Sequence, residues 1–297
     1  MDAGQSGVRT RLGGAALPEL PGVRTSSPVL PQLADAARQA LTAVSAAEAE
    51  AADCLAVGTT ALRSNSTAAE LLALVADLGI KHVSLAHDSV TSHLGALRGQ
   101  RGAIVASGTG SVAFAIGASS VARVDGWGNI IGDAGSGFWI GRAGIVAVMR
   151  AHDGRGPATM LSPAVEAEFP DIEAAYLDLQ NDLGYVRRVA SYAKLVAELA
   201  ASDAVCAAII DEAAAELAHS AIIALRRVGE DAAATTLVSI QGKIFLNDRL
   251  RTRFDQLIRD ALPGASFVPP LGDGLDGASM LFDLPDASPL RAMVSYA

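Results

Sequence analysis

The order of patterns along the sequence predicts an α/β protein made of two halves, each with a largely parallel sheet. Short apolar runs that can form strands alternate with longer stretches of helical periodicity, first over residues 54–97 and again over residues 235–269. Apolar residues make up 51% of the chain but aromatic residues only 4%, so the core volume comes from Ala, Val, Leu and Ile. A length of 297 residues corresponds to about two domains.

Two strand–loop–helix units follow one another in the first half. The run CLAVGTTAL over residues 54–62 is apolar and ends in small hydroxyl residues, and residues 67–78 show helical periodicity. Residues 82–86 are strand-like, Asp88 stands at the end of that strand, and residues 90–97 can form a short helix. Functional groups of α/β sheets gather at the carboxyl ends of strands, which makes Asp88 a candidate.

The second half begins with a predicted β-hairpin. Residues 102–107 and 111–117 are two apolar runs joined by the tight turn Gly108-Thr109-Gly110. A Gly-rich stretch follows, and then come long Ala-rich segments of which residues 203–227 form the clearest predicted helix. The chain then returns to strand and helix patterns, which indicates a second sheet covered by helices.

The domain boundary is placed at the entry to this hairpin. We expect a first domain over residues 1–99 and a second over residues 100–285. Residues 286–297 are expected to form a helix that completes the first domain. Residues 13–31, rich in Gly, Pro and Ser, are expected to form a loop or an irregular hairpin rather than a linker, because too little chain precedes them to make a domain.

Charge, cysteine content and the N-terminal residues exclude several classes of protein. The 23 Lys and Arg against 32 Asp and Glu give a net charge of −9, so a nucleic-acid partner is not expected. Cys54 and Cys206 lie far apart with no zinc-ligand spacing, which argues against a zinc ribbon or a disulfide scaffold and fits a reducing cytoplasm. Neither a signal peptide nor an apolar stretch of membrane-spanning length is present, so we expect a soluble cytoplasmic protein.

Two Gly-rich segments could bind phosphate. Asp2 is followed by Ala-Gly-Gln-Ser-Gly, whose backbone amides can approach an anion closely, so a phosphate with its Mg²⁺ could sit there. The alternative is a flexible start that contains a chance Gly cluster. In the turn Ser107–Ser111 glycines free the amides and hydroxyls add donors, whereas the alternative there is an ordinary hairpin turn.

A third Gly-rich segment, residues 125–137, contains Trp127 and leads directly to Trp139, the other tryptophan of the chain. Glycines cost conformational entropy unless a close approach requires them. Within this segment the carboxylate of Asp133 could accept hydrogen bonds from two adjacent hydroxyls of a polyhydroxylated substrate. The alternative is that Asp133 is the N-cap of the helix that follows.

Asp88 is the candidate for proton transfer. A carboxylate at a strand end could take the proton of a hydroxyl nucleophile during phosphoryl transfer. The alternative is that Asp88 caps the helix that begins at Ser89. Gly242 after a strand and Gly274 before a helix could admit the adenosine of a nucleotide, and the five histidines, which form no metal-binding spacing, are expected on the surface or in packing.

In order and spacing these clusters resemble the N-acetylglucosamine kinase branch of the BadF/BadG/BcrA/BcrD ATPase family, within the actin-like ATPase superfamily. The most specific part is Ser107–Ser111, followed by Gly126-Trp127-Gly128 and then by residues 132–137, which resemble the family's SGTGS, GGWG and GDEGSG blocks. Residues 153–157 and 274–280 add further matches, so the resemblance spans nearly the whole chain.

The resemblance implies two ribonuclease H-like domains around a central cleft that binds MgATP and a sugar. Asp88 would be the catalytic base that accepts the proton of the attacking hydroxyl, by implication the one on C6 of an amino sugar such as N-acetylglucosamine or glucosamine. Asp2 would also hold Mg²⁺. The implied partner is a small-molecule sugar, with a homodimer left open. The implied nucleotide-binding residues are Asp2, Gly4, Ser6, Gly108, Thr109, Gly110, Ser111, Gly242 and Gly274, and the implied substrate-binding residues are Thr59, Thr109, Gly126, Trp127 and Asp133.

The chain also departs from the family pattern. Family members have an apolar strand before the acid matched by Asp2, whereas here only Met1 precedes it, so the first strand is expected to be missing. Asp125 stands where the family often has Gly. The loop over residues 21–28, PGVRTSSP, offers only Ser and Thr where an Asn is expected. Sugar kinase activity is therefore better supported than specificity for N-acetylglucosamine. Further departures are Ala134, often Glu, and Gln241, often Gly.

Two other functions remain open. One is an ATPase of the same superfamily that activates a partner enzyme and holds an iron–sulfur cluster, but Cys54 and Cys206 both lie outside Gly-rich loops. The other is a non-catalytic nucleotide or sugar sensor. Asp88 argues against a sensor, since a pure binder has no need of a base.

Overall fold

The chain folds into two compact units. In this computed structural model, which describes all 297 residues, the first unit comprises residues 1–104, 114–121 and 268–297, and the second comprises residues 105–113 and 122–267. The chain thus returns to the first unit at residue 268, whereas the sequence predicts one domain over residues 100–285.

Twelve strands and eleven α-helices make up the structure. In chain order the strands are β1 (Asp2–Ala3), β2 (Val8–Arg9), β3 (Arg11–Leu12), β4 (Ala15–Ala16), β5 (Cys54–Thr59), β6 (His82–His87), β7 (Gly102–Ser107), β8 (Ser111–Ile116), β9 (Val121–Asp125), β10 (Thr236–Gln241), β11 (Ala265–Phe267) and β12 (Val294–Tyr296). The helices are α1 (Val29–Thr42), α2 (Ala46–Glu50), α3 (Ala68–Leu74), α4 (Asp88–Leu97), α5 (Gly137–His152), α6 (Ser162–Glu168), α7 (Ala175–Asn181), α8 (Tyr185–Leu199), α9 (Ala204–Arg227), α10 (Asp248–Ala261) and α11 (Gly274–Ser279).

The first unit is built on a five-stranded sheet in the order β12-β6-β5-β1-β2. The three inner strands β6, β5 and β1 run parallel, and the two edge strands run antiparallel to their neighbours. The core beneath is aliphatic, with Leu33, Leu71 and Leu85 fully buried. A separate two-stranded ribbon is formed by β3 and β4.

The first strand, which the sequence analysis expected to be missing, is present as the two-residue strand β1. The ammonium group of Met1 donates to the carbonyl of Ala56 at 2.8 Å, and the amide of Gly58 donates to the carbonyl of Met1 at 3.0 Å. Strand β1 also pairs with β2 on its other side. Backbone hydrogen bonds on both sides thus hold so short a segment inside the sheet.

The C-terminal residues differ from the prediction of a helix over residues 286–297. A short 3₁₀ turn, Pro289–Met293, leads into β12, which pairs antiparallel with β6 so that Ser295 lies opposite Leu85. The hydroxyl of Ser295 accepts a hydrogen bond from the amide of Ala68 at 2.9 Å, at the start of α3. Residues Val294–Tyr296 are therefore extended because they complete the edge of the sheet.

Helix α11 packs against α4 at backbone contact distance. A Cβ atom on Gly95 of α4 would lie 1.8 Å from the carbonyl oxygen of Asp273, and a Cβ on Gly277 of α11 would lie 1.7 Å from the carbonyl oxygen of Thr91. No side chain fits at either position. These two glycines therefore set the distance between the two helices.

The second five-stranded sheet has the order β11-β10-β7-β8-β9. Strands β7 and β8 are joined at Gly108, Thr109 and Gly110, as the hairpin prediction requires. Helix α9 covers the range predicted for it, and Asp203 caps it, because its carboxylate accepts from the amides of Val205 and Cys206 at 2.7 and 3.3 Å. No helix is both long enough and apolar enough to span a membrane.

His93 is a buried polar residue within the first unit. Its ring is fully buried on α4, with Nε2 3.3 Å from the carbonyl oxygen of Gly102, and Nδ1 has no hydrogen-bond partner. The ring meets Phe114 edge to face at 5.8 Å between centroids. Burial lowers the pKa of His93 from 6.5 to about 4.

This shift predicts acid sensitivity of the fold. The folded protein binds a proton at His93 more weakly than the unfolded chain does. The unfolding free energy is therefore highest above pH 6.5 and decreases as the pH falls toward 4. The loss over this interval should be roughly 3 kcal/mol. We expect His93→Leu to flatten this part of the profile of unfolding free energy, measured by urea denaturation. His82→Gln, at an exposed position, is the control, and a profile unchanged by His93→Leu would contradict the assignment.

Candidate active site

Three neighbouring strands of the first unit end at the same edge of the sheet. Ala3 of β1 is in register with Thr59 of β5, and Thr59 is in register with His87 of β6. The predicted site residues Asp2, Thr59 and Asp88 therefore come from adjacent strand ends, as parallel strands require. Thr59 is fully buried, and its hydroxyl donates to the carbonyl of Thr60 at 2.9 Å.

Asp88 is the first residue of α4 but does not cap it. The cap is His87, whose Nδ1 accepts from the amide of Ser89 at 3.2 Å. The alternative in which Asp88 caps the helix is therefore wrong. The same Nδ1 lies 2.8 Å from Oδ1 of Asp88, and the two side chains are 20% and 30% exposed. A partly exposed carboxylate at a strand end is suited to accept a proton from a ligand.

Asp2 is paired with Arg9, a residue that the sequence analysis missed. The antiparallel pairing of β1 and β2 places Arg9 opposite Asp2, and the guanidinium donates both to Asp2 and to Asp273. Burial raises the pKa of Asp2 above its ordinary value, the bond to Arg9 opposes this shift, and the nearby charge of Asp88 adds to it. Arg9 thus holds two carboxylates that would otherwise repel each other.

The acidic residues at the start of α11 form ion pairs with arginines of β2 and β3. Asp273 caps α11 by accepting from the amides of Leu275 and Asp276, and Asp276 pairs with Arg11 at 2.9 Å. Arginine alternates at positions 9 and 11 in an extended segment, and this spacing is the sequence signal that could have indicated a cationic strand edge. Its acidic partners, more than 260 residues away, could not be read from it.

The region around Asp2 fits Mg²⁺ only together with a phosphate. Mg²⁺ binds to one or two carboxylates and completes its shell with substrate oxygens and water. A Cβ atom on Gly274 would lie 2.9 Å from Oδ1 of Asp2, so only the absence of a side chain there leaves space beside the carboxylate. No group of three or more His, Cys, Asp or Glu side chains is arranged to hold a metal.

The first predicted phosphate loop connects β1 to β2. The amide of Gly4 donates to the carbonyl of Gly7 at 3.0 Å, and the carbonyl of Gly4 accepts from Val23 at 3.0 Å. Ser6 is exposed at the tip of the loop.

A cavity of about 180 Å³ also lies in the first unit, where Thr25 and Ser27 of the segment PGVRTSSP contribute hydroxyls. Its other polar lining residues are Arg63, Asn65, Ser66 and Glu70.

In the second unit the predicted phosphate turn is held against the start of α5. The amides of Gly137 and Phe138 donate to the carbonyls of Gly108 and Thr109 at 2.8 and 3.1 Å. The hydroxyl of Ser111 donates to the carbonyl of Ala134 at 2.8 Å. These hydrogen bonds therefore fix the turn against the start of α5.

Asp133 faces this turn. A Cβ atom on Gly110 would lie 2.6 Å from Oδ2 of Asp133, and Asp133 is 8% exposed. The N-cap of α5 is Ser136, whose hydroxyl accepts from the amide of Trp139 at 3.2 Å. The interpretation of Asp133 as the helix cap is therefore wrong, and its carboxylate lies beside Gly110 instead.

Of the remaining predicted residues of the second unit, Gly126 and Gly242 adjoin the same turn. Gly126 has a φ of +72°, and Trp127 is 58% exposed, with the guanidinium of Arg123 at 4.5 Å from its ring centroid. A Cβ on Gly242 would lie 1.9 Å from the carbonyl oxygen of Ser107. Gly242 thus adjoins the phosphate turn, whereas Gly274 adjoins Asp2 in the first unit. The first unit contains Asp2, Gly4, Ser6, Thr59, Asp88 and Gly274, and the second contains Gly108, Thr109, Gly110, Ser111, Gly126, Trp127, Asp133 and Gly242.

Comparison with known sequences gives a family match. The model of the BadF/BadG/BcrA/BcrD ATPase family matches residues 23–281. A curated relative, the N-acetylmuramic acid/N-acetylglucosamine kinase of Clostridium acetobutylicum, is 39% identical over 80 residues, which are 27% of this chain and 26% of the relative. The match thus spans about a quarter of that relative.

Solved structures share the fold. A candidate N-acetylglucosamine kinase from Chromobacterium violaceum is 27% identical with a TM-score of 0.71, covering 94% of this chain and 96% of its own. Another from Porphyromonas gingivalis is 17% identical with a TM-score of 0.69 over the same shares. The glucose-bound hexokinase of Schistosoma mansoni is 13% identical with a TM-score of 0.55, covering 94% of this chain and 84% of its own. The predicted two-domain fold of the actin-like ATPase type is confirmed.

The Arg9 pairing leads to a prediction for stability. Arg9→Ala would leave the carboxylates of Asp2 and Asp273 facing each other without a counter-charge. We expect the unfolding free energy to fall by ~1–2 kcal/mol. Arg11→Ala removes one partly exposed ion pair and should cost less than about 1 kcal/mol. Urea denaturation of both variants is the measurement, and equal losses would contradict the special role of Arg9.

Proposed function

The chain belongs to the BadF/BadG/BcrA/BcrD ATPase family, and from this premise we propose that it is an ATP-dependent kinase of an amino sugar. The observation that carries the proposal is the placement of Asp2, Thr59 and Asp88 at three adjacent strand ends. In the proposal, Asp88 is the base and Asp2 lies on the phosphate side. The names of the Clostridium acetobutylicum relative and of the Chromobacterium violaceum structure support a sugar as the phosphate acceptor.

The reaction is transfer of the γ-phosphate of ATP to a sugar hydroxyl, in our proposal the one on C6. Asp88 accepts the proton of that hydroxyl as the new oxygen–phosphorus bond forms and the bond to the ADP oxygen breaks. The imidazole of His87 lies beside this carboxylate, with Nδ1 2.8 Å from Oδ1 of Asp88. Because a hydroxyl is a poor nucleophile, the position of this base decides the rate.

Asp2 would hold Mg²⁺, and when bound the ion neutralises charge on the phosphate groups. Arg9 orients Asp2 and links it to Asp273, so the acid stays in place without a ligand. The backbone of the Gly4–Gly7 loop supports the same phosphates in the proposal. All of these groups belong to the first unit.

In the second unit we propose ligand contacts that belong to that unit by itself. In the proposal the Ser107–Ser111 turn binds phosphate through backbone amides and the hydroxyl of Thr109. The carboxylate of Asp133, beside Gly110, accepts hydrogen bonds from adjacent sugar hydroxyls. Trp127 offers the exposed part of its ring to the sugar. An amino sugar such as N-acetylglucosamine or glucosamine is the proposed substrate.

The alternative of an iron–sulfur activator receives no support from the cysteines. Cys206 is fully buried within α9, and burial raises the pKa of its thiol to about 11. Cys54 is exposed at the start of β5. An iron–sulfur cluster is held by several thiolates together, whereas these two cysteines lie in different units of the chain.

The test of the proposal is ADP release from MgATP with different acceptors. We expect release to depend on an amino sugar in a panel of N-acetylglucosamine, glucosamine, glucose, N-acetylmuramic acid and no sugar. The sugar that supports the highest kcat/KM identifies the substrate. Release at the same rate without any sugar would contradict the proposal and favour an ATPase.

Asp88→Asn tests the base. An amide cannot accept the hydroxyl proton, so we expect kcat to fall at least ~100-fold while nucleotide affinity changes little. Asp35→Asn, at an acidic surface position on α1, is the matched control and should leave kcat unchanged. A turnover number unaffected by Asp88→Asn would overturn the assignment of Asp88.

A further inference from the structure

Asp125, the last residue of β9, anchors the loop that contains Asp133. Its Oδ1 accepts from the amide of Asp133 at 2.7 Å, and its Oδ2 accepts from the amide of Ala134 at 2.7 Å. The amide of Trp127 lies at 3.5 Å from Oδ1 as a weaker third donor. Hydrogen bonds from amides to a carboxylate are roughly twice as strong as those between neutral groups. One side chain thus spans the two ends of the loop.

We propose that Asp125 is a positioning residue for sugar recognition, which sets the carboxylate of Asp133 beside the Ser107–Ser111 turn. This inference rests on the proposed sugar kinase function. It assigns a role at a position where the family resemblance leads one to expect glycine. Glycine would supply the backbone freedom of this position but none of the three hydrogen bonds.

The backbone conformations of Asp125 and Asp133 show what the Asp125 carboxylate stabilises. Asp125 has a φ of +60° and Asp133 a φ of +58°, both in the left-handed region that residues other than glycine rarely adopt. Such conformations persist only where surrounding contacts determine them. The bonds from Asp125 to the amides of Asp133 and Ala134 are those contacts, since they fix the peptide groups on both sides of the Asp133 Cα.

The space around the carboxylate confirms that the loop is closed tightly. A Cβ atom on Gly132 would lie 2.4 Å from Oδ1 of Asp125, so only glycine lets the backbone pass at this distance. The amide of Gly132 in turn donates to the carbonyl of Gly128 at 2.8 Å. The loop is therefore a fixed turn around the Asp125 carboxylate.

Ala134 connects this anchor to the phosphate turn. Its amide donates to Asp125, while its carbonyl accepts from the hydroxyl of Ser111 at 2.8 Å. The carboxylate of Asp133, one residue earlier, then lies against Gly110. Without the Asp125 carboxylate, the amide of Ala134 loses its acceptor, and the Asp133 carboxylate can move away from Gly110. Sugar affinity should fall, while nucleotide contacts elsewhere are kept.

Steady-state kinetics of three substitutions at this position test the proposal. We expect Asp125→Ala to raise the KM for the sugar by ~10-fold with little change in the affinity for ATP. Asp125→Asn keeps one acceptor oxygen and should raise the sugar KM only about threefold. Asp125→Gly suits the positive φ but lacks the acceptors, so it should behave like Asp125→Ala. Asp178→Ala, at an exposed position on α7, is the control with unchanged constants.

A second readout is independent of activity. In a Trp139→Phe background Trp127 is the single tryptophan, and it lies in the loop that Asp125 anchors. We expect Asp125→Ala and Asp125→Gly to increase acrylamide quenching of Trp127 and to shift its emission, with a smaller change for Asp125→Asn. Unchanged fluorescence in all three would overturn the proposal. Should Asp125→Ala fail to fold, Asp125→Asn carries the test through both readouts.

The two proposals fail in different ways. A wild-type protein that phosphorylates no sugar in the panel overturns the proposed function. A wild-type protein that phosphorylates a sugar, with a sugar KM unchanged in Asp125→Ala and Asp125→Gly, overturns the positioning role of Asp125 alone. A fall in kcat with unchanged sugar KM also contradicts it, because that pattern indicates a general loss of active protein.

Discussion

The parallel register of β1, β5 and β6 is the constraint on which the candidate site depends. Ala3, Thr59 and His87 lie side by side, so the residues at these strand ends share one edge of the sheet. Backbone hydrogen bonds from Met1 and Gly58 hold β1 in this register although it has only two residues. A slip of one residue would turn Asp2 to the other face of the sheet. The ion pair with Arg9, opposite Asp2 on β2, depends on the same register.

A second constraint is the close packing of α11 on α4. The contacts at Gly95 and Gly277 join backbone to backbone, and helices that meet in this way leave little room to shift. Helix α4 begins with Asp88, and α11 is preceded by Asp273, which pairs with Arg9. The same packing therefore fixes the candidate base and the acidic cap relative to Asp2. In the second unit the carboxylate of Asp125 has a comparable effect on Asp133.

The sequence predicted the elements whose signals are local. The hairpin around Gly108, Thr109 and Gly110 and helix α9 follow from turn chemistry and from periodicity. Strand β1 could not be predicted in this way, since two residues show no periodicity and the strand exists only through pairing with β5 and β2. Strand β12 likewise depends on the free edge of β6.

The site was predictable in its residue types but not in its connections. Asp88 was predicted because functional groups gather at the carboxyl ends of strands, and Asp133 because its Gly-rich segment allows close approach of a ligand. Both were also interpreted as helix caps. The structure places His87 and Ser136 at those caps. The contact from Arg9 to Asp273 joins residues 264 positions apart, and no pattern within either segment indicates it.

The fate of the γ-phosphate distinguishes a sugar kinase from an ATPase. After incubation of the protein with MgATP and N-acetylglucosamine or glucosamine, ³¹P NMR distinguishes a sugar phosphomonoester from inorganic phosphate. We expect the signal lost from ATP to reappear as a phosphomonoester of the sugar, with little inorganic phosphate. Formation of inorganic phosphate at a rate that is the same with and without sugar would contradict this expectation.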